Sequence, residues 1–215
     1  MKKWTDRFMY YYGMPALMGV SLSIALTGLL LFLFADRFHS IPVFTNEARR
    51  ALTPLNIFNA VVVVPLIEEF LFRFLFYRCV KKLLSLFFPR FSQDLMYLRK
   101  FRGFSVYFNS DLAGIVALFF SALAFGLYHN NMVQGIYASC FGVLFCFIYE
   151  KTGRLDSSYF VHMMINFLSL FVNLGIFFST PGFTVFSVLV FFTLFVYLFY
   201  SYFRLGVFSE GAGSP

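Results

Sequence analysis

The stretch VVVVPLIEEFLFRFLFYR, Val61–Arg78, decides how this chain is to be read. It is apolar enough to cross a bilayer, yet it carries Glu68, Glu69 and Arg73 in its middle. An ionisable side chain at membrane depth costs at least about 2.5–3.5 kcal/mol on insertion scales, and it faces a bundle interior or a wet cavity. Two adjacent glutamates exceed what helix packing needs, because one would suffice to pair with Arg73. Two other apolar stretches carry polar residues in the same way. FFSALAFGLYHNN contains His129, and SSYFVHMMINFLSLF contains His162 and Asn166. The six residues form one candidate functional site.

Composition agrees with a membrane setting. Charged residues make up 13% of the 215 residues, against roughly 25% in soluble domains. The mean hydropathy is +0.77. The 35 phenylalanines suit a lipid-facing surface. The net charge of +7 would suggest nucleic acid in a soluble chain. Here the basic residues cluster in connections beside apolar spans, so they read as orientation signals and no nucleic-acid partner is expected. Cys79, Cys140 and Cys146 lie in or beside apolar segments and are odd in number, which gives no disulfide framework. Buried cysteine packs as a small hydrophobe, and Cys140 is assigned that role over a nucleophilic one.

A span needs about 20 mostly apolar residues. Six segments qualify, at 14–35, 57–77, 112–129, 132–150, 158–178 and 183–203. The chain therefore predicts an all-α polytopic membrane helix bundle with about six transmembrane helices, in a single membrane domain covering 1–215. The first apolar run is too long for a cleavable signal peptide and reads as an anchor. The third and fourth spans meet at His129-Asn130-Asn131 as a tight hairpin, and Ser179-Thr180-Pro181-Gly182 breaks the fifth from the sixth. Residues 209–215 read as a flexible tail.

Loop charge sets the expected topology. Lys2, Lys3 and Arg7 precede the first span; Arg78, Lys81, Lys82, Arg90, Arg99, Lys100 and Arg102 lie between the second and third. Lys151 and Arg154 join the fourth to the fifth, and Arg204 follows the last. The positive-inside rule puts both termini in the cytoplasm, at the plasma membrane. The basic loop 78–110 alternates cations with Phe, Leu, Met and Tyr, which suits an interfacial amphipathic helix on an anionic bilayer surface.

Helical spacing pairs the polar residues. Glu69 and Arg73 are i,i+4, as are Phe125 and His129, and His162 and Asn166. All three stripes facing one cavity is the economical arrangement. A carboxylate drawn out of water becomes a stronger base, able to deprotonate a water held against an imidazole. A second His and an Asn are donors suited to a developing oxyanion. The set fits a peptide hydrolase with a water nucleophile. Glu68, His129 and His162 also fit the usual ligands of zinc, although no H-E-x-x-H spacing is present. By hairpin counting, His129 ends an outward-going helix and His162 follows the turn at 151–157. The two then differ by about 15 Å in depth. A broken segment at 129–135, dipping into the bundle, would bring them together.

These stripes resemble the motifs of the CAAX protease and bacteriocin-processing family, also called the Abi family. Its order is Glu-Glu-x-x-x-Arg, Phe-x-x-x-His and His-x-x-x-Asn, matched here by Glu68-Glu69 to Arg73, Phe125 to His129 and His162 to Asn166. Lys151-Thr152-Gly153-Arg154-Leu155 is similar to the family's Thr-Gly-Ser-Leu turn. The likeness covers about 57–170. It implies a type II CAAX prenyl-endopeptidase-like intramembrane protease that cleaves a membrane-associated peptide or protein tail, lipidated or amphipathic. It also implies Glu68 as the base, His129 as its partner on the water, and His162 with Asn166 as the oxyanion site. Glu69 and Arg73 would support them, and no cofactor would be required. The rival reading is a non-catalytic scaffold or a bacteriocin self-immunity protein of the same family. A transporter is disfavoured by the lack of an inverted repeat.

Overall fold

A backbone without water around it must close its own hydrogen bonds, so each apolar run becomes a helix. The computed structural model describes residues 2–34, 53–88, 112–171 and 181–204. Within them run six helices: α1 (residues 2–33), α2 (Pro54–Phe87), α3 (Leu112–Tyr128), α4 (Met132–Thr152), α5 (Leu155–Phe171) and α6 (Pro181–Arg204). Among the described residues there is no strand. Each expected span coincides with one helix. Trp4–Leu33, Pro54–Phe87, Met132–Thr152 and Thr184–Phe203 are long and apolar enough to cross a membrane.

Two boundaries differ from expectation. The helix expected to end near 77 continues to Phe87, so Arg78, Lys81 and Lys82 ride on the end of α2 and not in a loop. Pro181 opens α6 at its first turn, where proline's missing N–H costs nothing. The remainder of the basic loop from 89 to 110, residues 172–178 of the fifth span and the tail 209–215 lie outside the described residues.

The α3–α4 hairpin is the tightest joint. Asn130 takes a left-handed conformation (φ 52°), one that asparagine tolerates better than most residues. The Asn131 side chain then caps α4, accepting from the Gln134 amide at 3.1 Å. The helices touch where they carry small residues. A Cβ on Gly142 would stand 2.8 Å from the Ala122 Cα, so only glycine lets the backbones come this close.

The core runs along α4 through Phe141, Phe145, Phe147 and Ile148, with α1, α3, α5 and α6 around it. The starts of α1 and α5 and the ends of α2, α4 and α6 gather at one end of the bundle. There the Tyr12 hydroxyl donates to Asp156 at 2.7 Å, and Lys151 donates to the Phe203 carbonyl at 3.0 Å. Tyr77 and Lys81 of α2 both reach Glu150 of α4. Gly153, at φ 67°, turns the chain from α4 into α5. Along α2, Ile67, Phe70, Leu71 and Phe74 are exposed, the pattern of a lipid-facing side.

Candidate active site

The polar centre is built on an irregular part of α2. Glu68 and Glu69 end a short α-helical piece, Val64–Glu69, with π-helical segments on both sides at Asn59–Val63 and Phe70–Tyr77. π turns inside α-helices recur at functional sites. Pro65 has no N–H to give to the turn before it. Neighbouring helices serve the carbonyls of this backbone. Asn166 of α5 donates to the Ala60 carbonyl at 3.0 Å, and Tyr159 donates to that of Val62 at 3.3 Å. Ser121 of α3 donates to the carbonyl of Phe72 at 2.7 Å.

The ionisable side chains form a chain. Arg73 Nε lies 3.4 Å from Glu69 Oε2, and both residues are fully buried. The other Glu69 oxygen, Oε1, is 3.0 Å from His162 Nδ1. The second ring nitrogen of His162, Nε2, faces Glu68 Oε2 at 3.5 Å. Glu68 keeps 7% of its surface and His162 keeps 5%. A carboxylate accepts, so His162 Nδ1 donates to Glu69. That leaves His162 Nε2 turned toward Glu68.

Aromatic rings hold this chain in place. The Arg73 guanidinium lies over Phe125 at 4.4 Å and Phe145 at 5.1 Å, and its nitrogens have no hydrogen-bond acceptor among the described residues. Ring faces attract a buried cation in place of the missing acceptors. Phe145 also stacks on His162 with centroids 4.7 Å apart. Phe125 meets His129 edge-on at 5.0 Å and His162 at 5.7 Å.

His129 and His162 are thus both brought against the Phe125 ring and onto the wall of one cavity, despite the difference in depth expected from hairpin counting. The break in the chain is confined to 129–131, because α4 is already helical from Met132. The reason is directional. Side chains on a helix lean toward its N-terminus, and His129 leans back one turn to donate from Nδ1 to the Phe125 carbonyl at 2.9 Å. Its Nε2 is left as an acceptor.

A cavity of about 390 Å³ adjoins this chain. Glu68, His129, His162 and Asn166 all line it, whereas Glu69 and Arg73 stand behind. The rest of its wall is mainly apolar, from Leu30, Val64, Val133, Phe141 and Ile165. Asn166 has one N–H engaged by Ala60, which leaves its second N–H and its oxygen for the cavity. Both His162 nitrogens are turned to carboxylates. Among the described residues no group of three or more His, Cys, Asp or Glu is set to hold a metal. All three cysteines are free, and none lines the cavity.

Four participants were not singled out from the sequence. Phe145 and Tyr137 face the site from α4, and Thr27 lines it from α1. Ser23 and Tyr137 hydrogen bond at 2.7 Å and lock α1 against that wall. The signal was present, since Ser23 and Thr27 form an i,i+4 polar pair in an apolar span.

The family model described as type II CAAX prenyl endopeptidase Rce1-like matches residues 50–168, more than half of the chain. No curated protein and no solved structure matches.

Proposed function

The chain belongs to the Rce1-like family of type II CAAX prenyl endopeptidases, and on that premise we propose that this integral membrane protein hydrolyses a peptide bond within the bilayer. The substrate is a membrane-associated peptide or protein tail. The mainly apolar cavity wall suits a tail that is lipidated or itself apolar. The observation that carries the reading is His162 held between two glutamates on the wall of a cavity that also receives His129.

In the proposed reaction a water sits between Glu68 and His129 Nε2. Glu68 takes one proton from it, and the oxygen attacks the carbonyl carbon of the scissile bond. The oxyanion that forms is met by His162, carrying its proton on Nε2, and by the second N–H of Asn166. Glu69, anchored by Arg73, fixes the tautomer and tilt of His162. The intermediate collapses with cleavage of the C–N bond, and the proton on Glu68 passes to the leaving nitrogen. Water is the only co-reactant, and no step runs through a metal.

The same reading gives the orientation. The end of the bundle that carries Arg7, Arg78, Lys81, Lys82, Lys151 and Arg154 is placed in the cytoplasm of a plasma-membrane protein, with both termini on that side. The test is cleavage of membrane-tethered peptides by detergent-purified protein, with Glu68→Gln and His129→Ala beside the wild type, with and without chelator. Cleavage lost in both variants and indifferent to chelator is expected. Full cleavage by Glu68→Gln would overturn the reading.

A further inference from the structure

One turn of α4 beyond Phe145, a second cavity of about 390 Å³ opens between the ends of α2 and α4. Its chemistry is the reverse of the first. Arg78, Lys81 and Lys82 line it from α2, and Glu150 is the only carboxylate among its lining residues. That carboxylate is already engaged on both oxygens. Lys81 Nζ is 2.5 Å from Oε1, and the Tyr77 hydroxyl donates to Oε2 at 2.5 Å. Arg78 rests on the Phe74 ring at 5.0 Å. Neither Arg78 nor Lys82 has an acidic partner among the described residues, and both are exposed. The back wall is the edge-on pair Tyr77–Tyr149, with centroids 6.0 Å apart. The cavity therefore offers a net positive charge, two uncommitted cations and a fixed aromatic floor.

The same helical segment, Arg78–Phe87, carries a second feature. Leu83, Leu86 and Phe87 stand 51%, 64% and 75% exposed. A helix with cations on one side and large apolar side chains on the other lies at the boundary between headgroups and acyl chains. The segment also emerges at the end of the bundle where α4 turns into α5. A ligand whose anionic group enters the cavity would have its apolar part beside Leu83, Leu86 and Phe87.

We propose that this cavity is a binding site for the phosphate group of an anionic membrane lipid, separate from the cavity lined by Glu68. Arg78 and Lys82 are the phosphate-binding residues. Lys81 is the positioning residue that keeps Glu150 from repelling the anion. Basic pockets between spans on one membrane face hold lipid headgroups in this way. The proposal does not depend on the protease reading.

The experiment measures lipid retained by the full-length protein in mixed micelles of phosphatidylglycerol and phosphatidylcholine, by native mass spectrometry. Wild type, Arg78→Gln with Lys82→Gln, and Arg7→Gln are compared, and soluble glycerol phosphate serves as competitor. Arg7 is exposed at the start of α1 and lines neither cavity. Thermal unfolding in detergent, expected to be unchanged, checks that all variants are folded. Wild type should prefer phosphatidylglycerol, and the double variant should lose about tenfold of that preference. Arg7→Gln should lose little, and glycerol phosphate at equal concentration should fail to displace the lipid. No preference in the wild type would overturn the proposal, as would an equal loss in Arg7→Gln. Displacement by glycerol phosphate would overturn it in favour of a soluble phosphate.

Discussion

Arg73 and Arg154 each pair with a carboxylate, one in the centre of the bundle and one at the α4–α5 turn. By geometry the pair at the turn is the better. Arg154 grips Asp156 with two bonds, at 2.7 and 3.1 Å, while also lying over the Tyr11 ring at 4.8 Å. Arg73 meets Glu69 at 3.4 Å, and its nitrogens lack any hydrogen-bond acceptor among the described residues. Yet the Arg154 and Asp156 side chains are 43% and 47% exposed, whereas Arg73 and Glu69 are sealed. Water answers for most of the charge at the turn, so that pair contributes little. In the centre, among the described residues, only the Phe125 and Phe145 rings and His162 share it. Each partner there depends on the other, and His162 depends on both. Burial, more than bond length, separates a pair that orders the polar centre of the bundle from one that trims a surface.

The comparison breaks if removing the central charge is harmless. Arg73→Ala leaves Glu69 buried without a cation and should destabilise the protein by about 3–5 kcal/mol, read as early unfolding in detergent. Glu68→Gln should leave unfolding near wild type while lowering the proposed peptidase turnover by about 10²–10⁴-fold, because Glu68 lies at the cavity end of the chain and glutamine can keep its one contact across to His162. Asn166→Ala sharpens the comparison. It orphans the Ala60 carbonyl and should cost about 1–3 kcal/mol, with activity falling further than the unfolding shift explains. Asp156→Asn is the smallest expected change. Exposed pairs are worth about 0–1 kcal/mol, so its unfolding midpoint should hardly move.

Much of this was legible in the sequence, because a bilayer imposes strong rules. Six apolar runs gave six helices, and the polar residues that such runs exclude came together. Glu68, His129, His162 and Asn166 line one cavity with Glu69 and Arg73 behind them. What escaped lies in directions and backbone register. Hairpin counting places Cα atoms, and it missed the backward lean that carries the His129 ring onto Phe125. Hydropathy marked the end of an apolar run at Tyr77; the amphipathic helix expected within 78–110 starts there without a break, as the continuation of α2 to Phe87. Phe125 reads as packing from its type alone. Its place under Arg73 and between the two histidines requires three helices to be seen at once. The family match begins at residue 50, yet Thr27 of α1 also reaches the cavity.

The π-helical segment Asn59–Val63 has a consequence for how this site tolerates change. A π turn amounts to one residue more than an α-helical turn would hold. Deleting a single residue there, such as Val62, would let the strand of chain rewind to ordinary pitch without disturbing hydropathy, charge or any motif. Every position from Val64 onward would then keep its direction relative to α5, because the wide turn already absorbs the extra residue. Glu68 would stay on the face that His162 occupies. The segment acts as slack: what a one-residue deletion costs is the set of contacts that Asn166 and Tyr159 make with the carbonyls of Ala60 and Val62, not the direction of the carboxylate. Conservative swaps among its valines would pass almost unnoticed.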